Sequence, residues 1–267
     1  MSKLALYSDQ QIRISRKYLE LIIKELSKPP CLLGGWAVYL HLNDKFNSSK
    51  GRDYIGSRDI DLGFHLDPKW SKQEYENSDL RRAISTIESL GFESVSFRYL
   101  KQFANDGRDL TEEQAQSLAS YDLFALYIDL LVDTAEEKRH KIVGFSIAEE
   151  PLLQYVFSGK QKSTADFLGL NVVLPNPSLL LEMKINSFPD RTHDDKKTKD
   201  LADICALLLY SDTTSLTSRD LAERNTTRNK KFASAIRSLA ETEWDSVSRM
   251  LDEDKRELKR VVARALE

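Results

Sequence analysis

The chain has 267 residues and a mass of 30.6 kDa, which suits one large domain or two ordinary ones. Its 39 Lys and Arg residues against 42 Asp and Glu give a net charge of −3, which excludes a protein that is basic over its whole surface. The two cysteines, both in apolar runs, exclude a disulfide framework and a cysteine-based zinc site, and no run of 18 apolar residues or signal peptide is present. We therefore expect a cytoplasmic protein that does not contact membranes.

Apolar and polar residues alternate differently in the two halves of the chain. In chain order, the first half is predicted to contain a helix over 8–28, a strand at 31–33, a tight turn with a short helix to residue 42, a polar loop at 43–57, a strand at 59–66, a helix at 70–90, and strands at 92–104, 123–132 and 141–147. The second half is predicted to contain a short strand at 171–174, helices at 177–188 and 194–210, and two or three more helices in 214–266. The pattern predicts an α/β domain over 1–150, with a mixed sheet and flanking helices, and a mainly helical domain over 151–267.

Two carboxylates two residues apart mark the predicted strand at 59–66. Because side chains alternate between the faces of a strand, Asp59 and Asp61 share one face, and Ile60 lies on the buried one. Neighbouring carboxylates repel each other, and a hard divalent cation is a common partner for them. A strand with one solvated face also carries Asp-x-Asp, so this motif alone leaves both interpretations open.

Two further features favour a site. The strand at 31–33 ends in Gly34 and Gly35, and a glycine pair at a helix start presents backbone N–H groups of the kind that bind phosphate. Asp129 lies in a strongly apolar strand, where an ionised carboxylate is costly to bury without a partner, unless it reaches water near the strand end. A glycine turn, an Asp-x-Asp strand and a later strand carboxylate, in this order, are more specific than any one of them. We expect Asp59, Asp61 and Asp129 to converge on one face of the sheet.

This order of motifs resembles the nucleotidyltransferase superfamily that shares the DNA polymerase β palm. The Gly-Gly-Trp-Ala start and the Ser-x-Asp-Ile-Asp core from Ser57 to Asp61 are most similar to its abortive-infection (AbiEii-like) toxin-type branch. The segment at 179–208 is also similar to that branch, and its matching positions are Lys184, Arg191, Lys199, Asp200 and Asp203. The resemblance covers roughly residues 30–210. One departure is the stretch of 23 residues, 36 to 58, between the glycine pair and Asp59, which is longer than usual in the family.

The resemblance implies an enzyme, a nucleotidyltransferase, that transfers a nucleoside monophosphate from an NTP to a hydroxyl group. It implies that Asp59, Asp61 and Asp129 hold Mg²⁺ or Mn²⁺ and take part in catalysis together with Lys184. The positions implied to bind or orient the nucleotide are Gly34, Gly35, Ser57, Arg191, Asp200 and Asp203. For the toxin-type branch, the acceptor is RNA such as a tRNA 3′ end, the role is that of a toxin or phage-defence effector, and an antitoxin protein is a further partner.

Several alternatives remain open from the residues themselves. Lys184 is either a cation for the triphosphate or a surface lysine, and in both cases we expect it to contribute little to stability. Asp200 and Asp203 either form salt bridges with Lys184 or Arg191, or are plain helix-surface acids. The basic helix over 255–266 is either a solvated face or an RNA contact. A small-molecule nucleotidyltransferase similar to the aminoglycoside-modifying enzymes is the second candidate function, and a catalytically idle member that binds a nucleotide or a partner protein is the third.

Overall fold

The computed structural model describes residues 8–67, 69–134, 147–192, 194–211 and 226–266. The described residues divide into two compact units, each built from two segments of the chain. The sheet unit comprises those of Tyr7–Trp36 and Gly56–Pro175, and the helical unit comprises those of Ala37–Ile55 and Asn176–Glu267. The domain boundary predicted between residues 150 and 151 stays a prediction.

An eight-stranded mixed sheet forms the centre of the sheet unit within the described residues. Its strands are β1 (Cys31–Leu32), β2 (Ile60–Phe64), β3 (Glu93–Val95), β4 (Arg98–Ala104), β5 (Leu123–Val132), β6 (Ala148–Glu149), β7 (Lys162–Phe167) and β8 (Leu170–Pro175). Their order across the sheet is β3-β4-β5-β2-β1-β8-β7, and β6 also pairs with β5. The pairs β1–β8, β2–β5 and β5–β6 are parallel, whereas the other neighbours are antiparallel.

Helices flank this sheet. They are α1 (Asp9–Lys24), the start of α2 (Gly34–Lys50), α3 (Lys72–Glu76), α4 (Asp79–Ser89), α5 (Glu112–Ser117) and α6 (Leu153–Phe157). The hydroxyl of Ser8 accepts a hydrogen bond from the Gln11 N–H and so caps α1 at the predicted position. The apolar stripe of α1, which includes the fully buried Leu19 and Ile22, packs the helix on α4, β5 and β8.

The helical unit contains the rest of α2 and the C-terminal helices. These are α7 (Pro177–Ser187), a 3₁₀ turn (Phe188–Asp190), α8 (Asp194–Tyr210), α9 (Thr226–Arg237), α10 (Glu241–Leu251) and α11 (Lys255–Leu266). Asn176 caps α7, and Pro177 occupies the first turn, where a missing N–H costs nothing. Helix α8 packs on α7, α10 and α11. The predicted fold class, a mixed sheet with flanking helices followed by a mainly helical C-terminal region, is confirmed.

None of the helices in the described part of the chain is long and apolar enough to cross a membrane.

The predicted loop at 43–57 is wrong over its first half, because α2 continues to Lys50. Phe46 explains the difference: it is fully buried and packs edge-on against Tyr54 and Tyr210, with ring centroids 5.2 Å apart in both pairs. The other residues of this stretch are polar and lie mostly on the exposed side of the helix. Gly51, with a φ of +68°, follows the helix end, where a left-handed residue is common.

Two other predicted elements differ from the structure, and two elements of the structure were not predicted. The helix at 70–90 is two helices, because Ser78 caps α4 by accepting from the Arg81 N–H. The strand at 92–104 is a hairpin of β3 and β4, with Ser96 in the left-handed region. The helix α5 and the strand β7 were not predicted from the sequence. The predicted strand at 141–147 lies outside the described residues except for its last position.

Tyr75 of α3 gives a prediction about stability at alkaline pH. Its hydroxyl is buried and has no hydrogen-bond partner among the described residues, and burial raises its pKa to about 12. Because the folded state holds this proton more tightly than the unfolded state, the stabilisation is complete below pH 10 and is lost as the pH rises towards 12. We expect Tyr75→Phe to be neutral or stabilising by up to about 1 kcal/mol at pH 7 and to reduce the alkaline loss of stability, measured by urea unfolding.

Tyr99→Phe is the matched control, because the Tyr99 hydroxyl donates a hydrogen bond to Glu88 Oε1 at 3.3 Å. This variant is expected to be destabilised at pH 7. Equal destabilisation of both variants would show that the Tyr75 hydroxyl also has a partner in solution.

Candidate active site

The two parallel strands β2 and β5 bring two of the predicted carboxylates together. Asp61 of β2 is the register partner of Asp129 of β5, and on the other side of β5 the register partner of Asp129 is Arg98 of β4. Neighbouring strands lie about 4.8 Å apart, and register partners point to the same face. Arg98, Asp129 and Asp61 therefore form one row across three strands, which we call the register row. Asp59 directly precedes β2 and has the same parity as Asp61.

The start of α2 lies directly against this row. Gly34 has a φ of +58°, and a Cβ atom on it would lie 1.9 Å from Oδ2 of Asp61. A Cβ atom on Gly35 would lie 2.7 Å from Oγ of Ser57. Only glycine allows these approaches, so the backbone of the glycine pair touches both side chains. The structure thus brings together Gly34, Gly35, Ser57 and Asp61. They lie at the N-terminal end of α2, where the helix dipole favours negative charge.

Gly34→Ala tests whether this close approach constrains the site. We expect a loss of more than about 2 kcal/mol in the free energy of unfolding, because the new methyl group needs a strained φ and collides with Asp61. Gly51→Ala is the matched control: Gly51 has a similar φ of +68°, and nothing lies within 4 Å of its added Cβ. It is expected to lose only the backbone cost of about 1 kcal/mol. Equal losses in denaturant unfolding of the two variants would contradict the close packing of Gly34 on Asp61.

Two arginines accompany the carboxylates, and neither was predicted from the sequence. Nη2 of Arg98 donates to Oδ2 of Asp129 at 2.7 Å, and Nε of Arg58 lies 3.5 Å from Oδ1 of Asp59. The position of Arg58 between Ser57 and Asp59 was a signal available in the sequence. The position of Arg98 was not, because it depends on the pairing of β4 with β5.

The chemistry of these donors fits Mg²⁺, which takes carboxylate oxygens as ligands. Among the described residues, however, no three His, Cys, Asp or Glu side chains are close enough to hold a metal ion by themselves. Mg²⁺ commonly binds through one or two carboxylates together with substrate phosphates. The residues present therefore fit a cation that takes only part of its ligands from Asp61 and its neighbouring carboxylates, rather than a preformed cage.

The remaining predicted site residues meet in the helical unit. Nζ of Lys184 in α7 donates to Oδ1 of Asp200 at 2.5 Å and to Oδ2 of Asp203 at 2.8 Å, both on α8. Lys199 donates to Oδ1 of Asp203 at 2.5 Å, and the Tyr54 hydroxyl donates to the same oxygen at 2.6 Å. We call these side chains, together with Arg191, the buried ion network.

Arg191 lies at the edge of this network. Its Nε donates to Oδ2 of Asp200 at 2.6 Å, and its side chain is 38% exposed, compared with 9% for Lys184. The predicted salt bridges of Lys184 and Arg191 with the two aspartates are confirmed. The alternatives of a surface Lys184 and of helix-surface aspartates are wrong, because both aspartates and the lysine are buried. No sequence pattern indicated Tyr54, which is 149 residues from Asp203.

The charges of the network set the protonation states of its members. Burial alone would lower the pKa of Lys184, but the charges and hydrogen bonds of Asp200 and Asp203 outweigh burial and raise it. Burial alone would raise the pKa of Asp203, but Lys184 and Lys199 outweigh burial and lower it. Both groups are therefore charged at neutral pH, and each ion depends on its partners because neither reaches bulk water.

Comparison with protein-family models finds no match, and comparison with curated proteins finds no significant match. Among solved structures, the chain is similar to an antigenic nucleotidyltransferase-like protein from Paracoccidioides brasiliensis. The identity is 18%, the alignment covers 93% of this chain and 94% of that chain, and the TM-score is 0.41. At that TM-score, the likeness carries no conclusion about the activity of this chain.

Proposed function

We propose that this protein is a metal-dependent nucleotidyltransferase that transfers a nucleoside monophosphate from an NTP to a hydroxyl group and releases pyrophosphate. The observation that carries the proposal is the contact of the Gly34–Gly35 backbone with Asp61 and Ser57, with Asp129 in register beside Asp61. A glycine-lined helix start next to paired carboxylates combines a phosphate-binding element with ligands for a hard cation.

Each candidate site residue in the sheet unit has a role in the proposed reaction. The backbone N–H groups of the glycine pair and the Ser57 hydroxyl donate to the phosphates. Asp59, Asp61 and Asp129 hold Mg²⁺ or Mn²⁺, which neutralises charge on the triphosphate when bound. Asp129 also accepts the proton of the attacking hydroxyl group. Because phosphoryl-type transfer depends mainly on positioning and charge neutralisation, this set needs no nucleophilic side chain of its own.

The buried ion network supports a role in positioning. Lys184 donates to two carboxylates and is buried, so we propose that it acts on the nucleotide through Asp200 and Arg191 rather than by direct contact. Asp200 accepts a hydrogen bond from the Arg191 guanidinium group. Asp203 accepts hydrogen bonds from Lys184 and Lys199, whose positive charges offset those of the two aspartates. Arg191 is the most exposed member of the network, and we propose that its guanidinium group is the member that pairs with phosphate.

An RNA acceptor is favoured over a cationic drug by the charges of two helices. Helix α9 carries four basic residues and no acidic one, and α11 carries five basic residues against one glutamate. Such basic residues attract a phosphate backbone and repel an aminoglycoside, although Lys255, Lys259 and Arg260 of α11 already pair with nearby acidic side chains. A toxin or phage-defence role in the cytoplasm, with an antitoxin protein as partner, belongs to the same proposal.

Incubation with each labelled NTP, Mg²⁺ and total RNA tests the function. We expect label from the α-phosphate to enter RNA, with release of pyrophosphate and no transfer when the cation is chelated. Parallel reactions with aminoglycosides test the small-molecule alternative. Label in the drug alone would contradict the RNA acceptor, and label in neither would contradict the enzyme and favour an idle, nucleotide-binding or partner-binding member.

A further inference from the structure

We infer that Arg98 prevents Asp129 from binding a divalent cation in the free protein, so that the cation binds together with the nucleotide. Arg98 is then a positioning residue that couples the two ligands. The inference rests on the proposed function only in taking Asp129 as a metal ligand.

The first argument is the contact itself. Nη2 of Arg98 donates to Oδ2 of Asp129 at 2.7 Å, within the register row. The two side chains are mostly shielded from water, with 23% and 16% of their surfaces exposed. A charge-assisted hydrogen bond of this length takes an oxygen that a cation would otherwise use.

The second argument is that the guanidinium group of Arg98 is held in place. It stacks on the ring of Tyr127 at 4.8 Å and on that of Phe97 at 5.1 Å, measured to the ring centroids. Phe97 follows Ser96, whose φ of +61° makes the tight turn that starts β4. Two aromatic rings and the strand register thus keep the positive charge beside Asp129.

The third argument is charge. Asp59, Asp61 and Asp129 carry three negative charges, and Arg58 and Arg98 carry two positive charges next to them. The two arginines thus offset much of the negative charge that would attract a divalent cation, which agrees with the finding that no group of three potential ligands is formed among the described residues.

A bound nucleotide removes this obstacle. Arginine pairs readily with phosphate, so a triphosphate oxygen offers the guanidinium group an alternative acceptor and leaves Asp129 for the cation. The Nε atom of Arg98 is buried and has no hydrogen-bond partner among the described residues, so a donor for such an oxygen is already present. The triphosphate also adds the negative charge that the carboxylates lack.

Titration of the protein with Mn²⁺ alone, followed by electron paramagnetic resonance of the free ion, tests the inference. We expect weak binding by the wild type, and binding about 10- to 100-fold tighter by Arg98→Gln, the range by which neighbours of a metal ligand change affinity. Arg98→Met is a second variant that keeps the long stem packed on Tyr127, and it should show the same gain. Arg98→Lys keeps the charge and should remain near the wild type.

Two controls locate the effect. The double variant Arg98→Gln/Asp129→Asn should bind Mn²⁺ no more tightly than the wild type. Arg108→Gln, at an exposed arginine, should leave Mn²⁺ affinity unchanged. Circular dichroism and thermal unfolding check that each variant is folded. Wild-type affinity in both Arg98→Gln and Arg98→Met, or a gain that survives Asp129→Asn, would overturn the inference. Since no nucleotide or acceptor is present, this result is independent of whether the protein transfers nucleotides.

Discussion

Replacing Asp61 by asparagine is expected to lower nucleotidyl transfer by about 10²–10³-fold, the range for loss of one electrostatic stabiliser of a transition state. Asp61 touches the backbone of Gly34 and is also the register partner of Asp129. Asparagine has nearly the same shape but lacks the charge that binds a cation. The measurement is kcat/KM for NTP at a saturating concentration of Mg²⁺.

The same variant is expected to change the free energy of unfolding by less than about 1 kcal/mol. Loss of the attraction between the Asp61 carboxylate and the start of α2 is offset by relief of its repulsion with the neighbouring carboxylates. Asp166→Asn is the matched control, because Asp166 is an exposed strand aspartate of β7 whose carboxylate accepts a local hydrogen bond from the Gly169 N–H in the turn that follows. Wild-type activity of Asp61→Asn would contradict the metal role, and a large fall in stability would identify a structural aspartate instead.

Replacing Lys184 by methionine is expected to destabilise the protein by about 3–5 kcal/mol, the cost of removing one partner from a buried ion pair. Methionine fills the volume of the lysine stem but leaves Asp200 and Asp203 without the ammonium group that they share. This expectation replaces the one from sequence, which treated Lys184 as an accessible residue with little effect on stability. Urea unfolding at pH 7 measures the change.

Acid titration provides a second measurement on the same variant. The lowered pKa of Asp203 in the folded wild type contributes stability that is present above about pH 4 and is lost as the pH falls further. Lys184→Met should weaken this acid dependence, because it removes a cause of the lowered pKa. Lys24→Met is the matched control: Lys24 pairs with Glu20 on the exposed face of α1 and should change stability by less than about 0.5 kcal/mol. Equal effects of the two variants would contradict a buried network.

Elements with strong local patterns were predictable from the sequence. The strand β5 has the predicted bounds because apolar residues alternate along it, with Phe124, Leu126, Ile128 and Leu130 buried on one face. Helix α8 also has its predicted bounds. The last two turns of α2 were not predictable. Phe46 is the large buried residue of residues 43–50, and its burial depends on Tyr54 and on the distant Tyr210.

The candidate site was predictable to the extent that its parts are local motifs. The glycine pair, Ser57 and the two aspartates of β2 form recognisable patterns, and the structure brings most of them into contact. The role of Arg98 depended on the pairing of β4 with β5, which is a non-local property that strand patterns do not specify. Likewise, the spacing of Asp200 and Asp203 left salt bridges and surface positions both open, because their burial depends on residues far away in sequence.

The discontinuous helical unit has a consequence for synthesis on the ribosome. The Arg52 side chain donates to the Met250 carbonyl oxygen at 2.8 Å, across 198 residues of chain. At about 5–20 residues per second, the segment Ala37–Ile55 emerges roughly 10–40 s before α10 is available to pack on it. During that interval Phe46 and Tyr54 lack the later partners that bury them, so the nascent chain exposes apolar surface of the kind that chaperones bind. A fragment that stops after the last strand would keep this exposed segment permanently.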